Sequence, residues 1–180
     1  MLSMLTKETR EISENVISEH PLIYYDATGD WLRMERERFA FILISDEKYW
    51  NKLRERIRAN REVHTFVRKN QVGPREAQQL LFYVKRPIMQ IRGVADFIER
   101  LTGDREELWK KYGAESCFDS FDEYLAFTQG REKMTFVRFK NLRELENPIS
   151  AETITSVLGF SKVPRGGKYV NLETAKQLTT

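Results

Sequence analysis

Cysteine is almost missing from this sequence. Cys117 stands alone in 180 residues, so no internal disulfide can form. Histidine is nearly as scarce. His20 and His64 are the only two, in different predicted elements and without an HxxxH or HExxH spacing. With one thiol, that excludes a zinc centre of the Cys/His type. No run approaches about 18 apolar residues, so no segment is expected to span a membrane. No basic-then-apolar leader ends in a small-residue cleavage site, which makes the cytoplasm the expected location. The phosphate-cradling patterns GxGxxG and GxxxxGK(S/T) are both absent. Arg165-Gly166-Gly167-Lys168 is too short for the second and follows no predicted strand. Disorder is excluded in turn, because 41% hydrophobic residues and 12% aromatics can build a core.

The charge is unevenly distributed. The formal net value is only +3. Residues 1–37 carry four basic side chains (Lys7, Arg10, Arg33, Arg36) against eight acidic ones, leaving +7 on the remainder. Residues 54–75 hold Arg54, Arg56, Arg58, Arg61, Arg68, Lys69 and Arg75, opposed only by Glu55 and Glu62. Lys162, Arg165 and Lys168 sit in a window from Thr153 to Leu172 with no carboxylate. Clustered cations raise the local potential and favour phosphate-bearing partners, although a cation-rich stretch can also be a solvated face. The wide use of Glu, Lys and Arg also suits a thermophile.

Hydrophobic periodicity predicts an N-terminal helical arm over residues 1–37, with a helix at 3–19 ended by His20-Pro21, and a second unit over 38–180. In that unit Phe39–Ile44 is a continuous apolar run, as for a strand buried on both faces. Asp46 is a plausible cap for a helix to about Asn60, with Tyr49, Trp50, Leu53 and Ile57 as its apolar stripe. Strands are predicted at Glu62–Arg68, Leu80–Val84, Ile88–Ile98 and Lys133–Leu142, the last closed by Pro148. Short helices are predicted at Asp104–Tyr112, Ser120–Phe127 and Ala151–Leu158. A basic loop and a final capping segment, Leu172–Leu178, follow. The strands lack the regular βα spacing of a parallel sheet. The predicted fold class is α+β, a small mixed or antiparallel β-barrel with peripheral short helices.

No catalytic constellation is evident. Cys117 has no adjacent His to activate it, and Asp119, Asp122 and Glu123 suit a helix start better than a cation site. Rings and cations do interleave, in His64-Thr65-Phe66-Val67-Arg68-Lys69 and in Tyr83-Val84-Lys85-Arg86. Rings can stack on unpaired bases while cations neutralise phosphate. The same rings could equally be core.

The order of these segments resembles the PUA-like superfamily, especially its EVE and ASCH branches and their archaeal-type members. The resemblance covers roughly Phe39–Leu178. Ile44-Ser45-Asp46 with Trp50 is similar to the EVE strand that runs into a polar turn and a Trp. Phe82-Tyr83-Val84 matches its hydrophobic-Tyr-hydrophobic strand, and Gly93-Val94-Ala95 its Gly-x-(Ala/Glu) element. Val63-His64-Thr65-Phe66 stands where that branch has a Trp-Gly-Val-like stretch, and the ASCH motif Gly-x-Lys-x-x-Glu-x-Arg is absent. The resemblance implies a nucleic-acid-binding module, RNA being the expected partner, that takes a base, sometimes a modified one, into a barrel pocket with a basic rim. No cofactor and no metal are expected. The expected phosphate contacts are Arg68, Lys69, Lys85, Arg86, Lys162, Arg165 and Lys168. The expected pocket walls are Trp50, His64, Phe66 and Tyr83. Two alternatives stand beside this one. The ASCH resemblance allows a metal-independent ribonuclease using His64, Tyr83 and Lys85. The acidic residues 1–37 allow a scaffold that binds a protein partner.

Overall fold

The computed structural model describes residues 37–70 and 73–180. The predicted arm, apart from Glu37, lies outside the described residues.

Six strands form one sheet in the order β2-β5-β4-β3-β1-β6. They are β1 (Ala40–Ser45), β2 (Val63–Arg68), β3 (Gln79–Val84), β4 (Gln90–Asp104), β5 (Lys133–Ser150) and β6 (Lys168–Val170). Among the described residues five α-helices decorate it: α1 (Glu47–Arg58), α2 (Arg105–Tyr112), α3 (Phe121–Thr128), α4 (Ala151–Leu158) and α5 (Leu172–Gln177). Among the described strands only β1 and β3 run parallel. The expected α+β class, a small mixed sheet with short peripheral helices, is therefore what the chain adopts. The ladder is open, with β2 and β6 at its ends.

The apolar run of β1 is buried on both faces, as its unbroken hydrophobicity predicts. Phe41 and Leu43 join Leu80, Phe82, Val84, Val137 and Phe139 on one face, where α1 adds Trp50 and Leu53. Ala40 and Ile42 join Leu81, Tyr83, Ile91 and Val94 on the other, covered by Ile154 of α4 and Ala175 of α5. Full burial of a side chain such as Leu53 or Phe82 is worth about 1.5–3 kcal/mol each, so α1 is anchored chiefly by its apolar stripe. A third cluster gathers Tyr124, Met134, Phe136 and Leu108 where α2 and α3 pack on β5.

Helix starts follow local chemistry. Asp46 accepts the Tyr49 amide at 2.7 Å, Asp104 the Glu106 and Glu107 amides, Ser120 the Glu123 amide and Ser150 the Thr153 amide. Each satisfies amide groups that have no partner within the helix.

Three elements differ from the sequence reading. β4 runs past Ile98 to Asp104, paired with β5 along that extension. β5 does not stop near Leu142 but runs through Pro148 to Ser150. The register against β4 jumps from Ile91↔Ile149 to Gly93↔Glu144, so residues 145–148 bulge out of the ladder. Pro148 sits in that bulge, where no donor is needed. The basic loop contains a strand as well: β6 pairs antiparallel with β1, Lys168 opposite Ile42 and Val170 opposite Ala40. Gly167 leads into it at φ +83°, and a Cβ there would lie 2.5 Å from the Ile42 carbonyl oxygen. Only glycine suits that conformation and that approach together.

Candidate nucleic-acid interface

Helix α1 carries two rows of side chains. Trp50, Leu53 and Ile57 turn into the core. Tyr49, Lys52 and Arg56, one helical face along, turn toward β2 and the segment that links α2 to α3. The Tyr49 hydroxyl donates to the Thr65 carbonyl at 2.9 Å, and its ring meets Phe66 edge-on at 4.5 Å. Lys52 Nζ donates to Asp119 Oδ2 at 3.0 Å and Glu123 Oε1 at 3.3 Å. Burial alone would pull the Lys52 pKa down, but the hydrogen bonds it donates to both carboxylates, with their charges, outweigh it and hold the ammonium above its ordinary value. Glu123 is pushed the other way, chiefly by the Asp119 amide that donates to it at 2.7 Å. The acidic group at 119–123 thus holds a lysine in place.

Arg56 ties the far side together. Its Nε donates to His64 Nδ1 at 3.1 Å, and its terminal nitrogens donate to the carbonyls of Ser116 (3.0 Å), Ala114 (3.1 Å) and Val63 (3.3 Å). Arg138 reinforces the same turn, bidentate to Glu115 at 2.8 Å in both contacts and paired also with Glu99. With Tyr49 and Arg56 on its carbonyls, edge strand β2 is closed to further pairing there.

Between these walls opens a cavity of about 450 Å³. Its rings are Tyr49, Phe66, Phe118 and Phe127, and its cations are Lys48, Lys52, Arg68, Lys69 and Lys85. Asp46 and Glu123 are the acidic side chains in the lining, and the buried Cys117 belongs to it as well. Lys69 Nζ lies 4.7 Å from the centre of the Phe127 ring, and the Arg68 guanidinium 5.8 Å from that of Phe66. The size is within the usual range of small-ligand sites, about 300–1,000 Å³. Burial pushes the Cys117 thiol up to about 11 and holds the Tyr49 hydroxyl well above its ordinary value, so both are neutral at neutral pH.

The structure brings four of the expected site residues here: Phe66, Arg68, Lys69 and Lys85. Arg86 is exposed in the turn after Lys85. Lys162, Arg165 and Lys168 do not line the cavity: Lys168 opens β6, and Lys162 and Arg165 are exposed in the loop before it. The other three expected pocket walls are packed. Trp50 is 2% exposed, its ring against Gly93. Tyr83 is 6% exposed in the cluster on the opposite face of the sheet. His64 is 1% exposed, stacked on Phe139 with ring centres 5.5 Å apart. The set His64, Tyr83 and Lys85 is therefore not assembled around one cavity. Sequence reasoning missed Tyr49, Lys52, Phe118 and Phe127. The available signal was the Tyr49-Lys52-Arg56 row, at helical spacing beside the apolar stripe.

Burial and the Arg56 charge depress the His64 pKa to about 4, with the Arg61 carbonyl and Glu115 opposing. The bond from Arg56 to Nδ1 places the proton of the neutral ring on Nε2. Between pH 6.5 and 4 the unfolded chain then binds more protons than the folded one, so stability falls with pH. The contribution is fully present above about 6.5 and is lost as pH falls through about 4, on the order of 3 kcal/mol. Urea unfolding at pH 7.5 and 4.5 checks this, and a His64→Gln variant is expected to lose that part of the difference.

The sequence matches no protein-family model and no curated relative. The structure, by contrast, has clear neighbours. The fold is shared with a solved ASCH protein. The crystal structure of ASCH from Zymomonas mobilis superposes with a TM-score of 0.64 at 20% identity, covering 79% of this chain and 94% of that one. A serine-to-alanine variant of the same protein gives 0.62 at 20% identity, covering 79% and 96%. A tyrosine-to-phenylalanine variant gives 0.62 at 18%, covering 78% and 96%. Among the described residues no helix is long and apolar enough to cross a membrane.

Proposed function

We propose that this protein binds RNA in the cytoplasm, taking an unpaired base, modified or plain, into the cavity between α1, β2 and the 116–127 segment. The observation that carries this reading is the convergence of four rings and five cations on one recess. Rings stack on a base whatever its sequence, and the cations neutralise the flanking phosphates. Lys52, held by two carboxylates, is positioned to donate to a base carbonyl. Arg68, Lys69, Lys85 and the neighbouring Arg86 form the rim that meets the backbone. The PUA-like fold supports the same reading. Binding rather than ribonuclease chemistry is favoured because His64 and Tyr83 do not reach the recess.

Fluorescence anisotropy with a labelled oligouridine tests it. Wild-type affinity is expected to fall steeply between about 50 and 200 mM salt. Phe66→Ala, which removes a stacking ring, is expected to weaken binding by about tenfold. No salt-sensitive binding at micromolar protein would contradict the proposal.

A further inference from the structure

A second cation-rich surface lies away from the cavity, around the edge strand β6. The segment from Thr153 to Leu172 contains no carboxylate, and it carries Lys162, Arg165 and Lys168. The acidic side chains nearest in sequence are Glu152 and Glu173. Phe160 is 42% exposed, one of the few large apolar side chains left open to water. The Lys168 ammonium sits 4.7 Å from the centre of its ring. On the other side of β6, the Arg38 guanidinium lies 5.2 Å from the centre of the Tyr169 ring, whose hydroxyl accepts the Arg75 amide at 2.7 Å. Successive residues of a strand face opposite ways, so Lys168 and Tyr169 place cations on both sides of this edge. An exposed ring flanked by cations has the composition of a platform for single-stranded nucleic acid.

The sheet links this platform to the cavity. Lys168 pairs with Ile42, whereas Ile44 and Asp46 are in the cavity wall. Strand β1 therefore runs from one to the other, and the four steps from Ile42 to Asp46 span about 13 Å at about 3.3 Å per residue. We infer that the β6 edge is a second contact for the same RNA strand, with Phe160 stacking a base and Lys162, Arg165 and Lys168 meeting its phosphates. The inference rests on the cavity reading, because it is the strand held there that extends to the edge. It makes the protein a reader of single strands longer than the cavity alone can hold, within the usual span of about 4–16 nucleotides for compact single-strand binders.

The test uses the full chain and two labelled probes, a uridine 4-mer and a uridine 20-mer. The Lys162→Gln/Arg165→Gln variant changes two exposed side chains outside regular structure. It is expected to bind the 20-mer about tenfold more weakly and to flatten the log–log salt slope by about 1.4, the loss of two phosphate contacts. The 4-mer affinity should be unchanged. Phe160→Ala should weaken the 20-mer alone. If both variants bind the 20-mer as wild type does while Phe66→Ala weakens both probes, the second contact is refuted and the cavity stands. If Phe66→Ala changes neither probe, the cavity reading fails and this inference fails with it.

Discussion

Replacing Gly93 with alanine is expected to destabilise the protein by about 3 kcal/mol, at the upper end of core overpacking. Gly93 lies in β4 opposite Phe82 and Glu144. A Cβ there would stand 2.4 Å from Trp50 Cη2 and 2.9 Å from the Arg143 carbonyl oxygen. Neither neighbour can easily move. The indole is wedged in the core beside Phe82, and the carbonyl belongs to β5. Relief requires α1 to lift, and α1 supplies Lys48, Tyr49 and Lys52 to the cavity. The same substitution should therefore weaken oligonucleotide binding in whatever fraction remains folded. Urea denaturation and anisotropy on one preparation measure both effects. A stability within about 1 kcal/mol of wild type would show that the sheet yields at this point more readily than close packing allows.

Arg56→Ala is expected to cost about as much, on the order of 3 kcal/mol. One guanidinium satisfies three carbonyls and an imidazole. Its removal strands the His64 Nδ1 acceptor, which is buried, and unties the Ala114–Ser116 turn from β2. Cys117 and Phe118 follow that turn directly and form part of the cavity wall. Lysine should rescue little, since a point charge cannot reproduce a planar fork of donors. The checking measurement is the unfolding free energy of Arg56→Ala and Arg56→Lys. Rescue of more than half the loss by lysine would mean that charge, rather than the fork, holds the turn.

Much of the fold was legible because its signals are local. The run Phe39–Ile44 had no polar position to expose, and five helices begin at or beside a side chain that caps them. β6 was illegible because three residues after two glycines show no periodicity. Its strand character comes from β1, with Gly167 allowing the close approach. The end of β5 is hidden because a proline ordinarily stops a strand, whereas here a bulge accommodates Pro148. The site was half legible. Phe66, Arg68, Lys69 and Lys85 stood out because ring and cation alternate along strands. Trp50, His64 and Tyr83 carry the same chemistry but face the core, and composition alone does not say which way a strand residue points. Phe118 and Phe127 reach the cavity only through the packing of a segment more than fifty residues from β2 in sequence, which no local pattern encodes.

The split of the small net charge into an acidic segment 1–37 and a basic body also takes on a location. Cations of the body collect around the cavity and beside the β6 edge, in each place with an exposed or half-buried ring.

The central claim is that a base enters the recess between α1 and β2. The most direct test is photocross-linking of a 4-thiouridine-containing uridine 4-mer, with the adducts mapped by mass spectrometry. The account predicts adducts on the peptides that carry Tyr49, Phe66, Phe118 or Phe127, competed away by unlabelled 4-mer. Specific adducts confined to peptides outside the recess, or none above background at saturating probe, would contradict it.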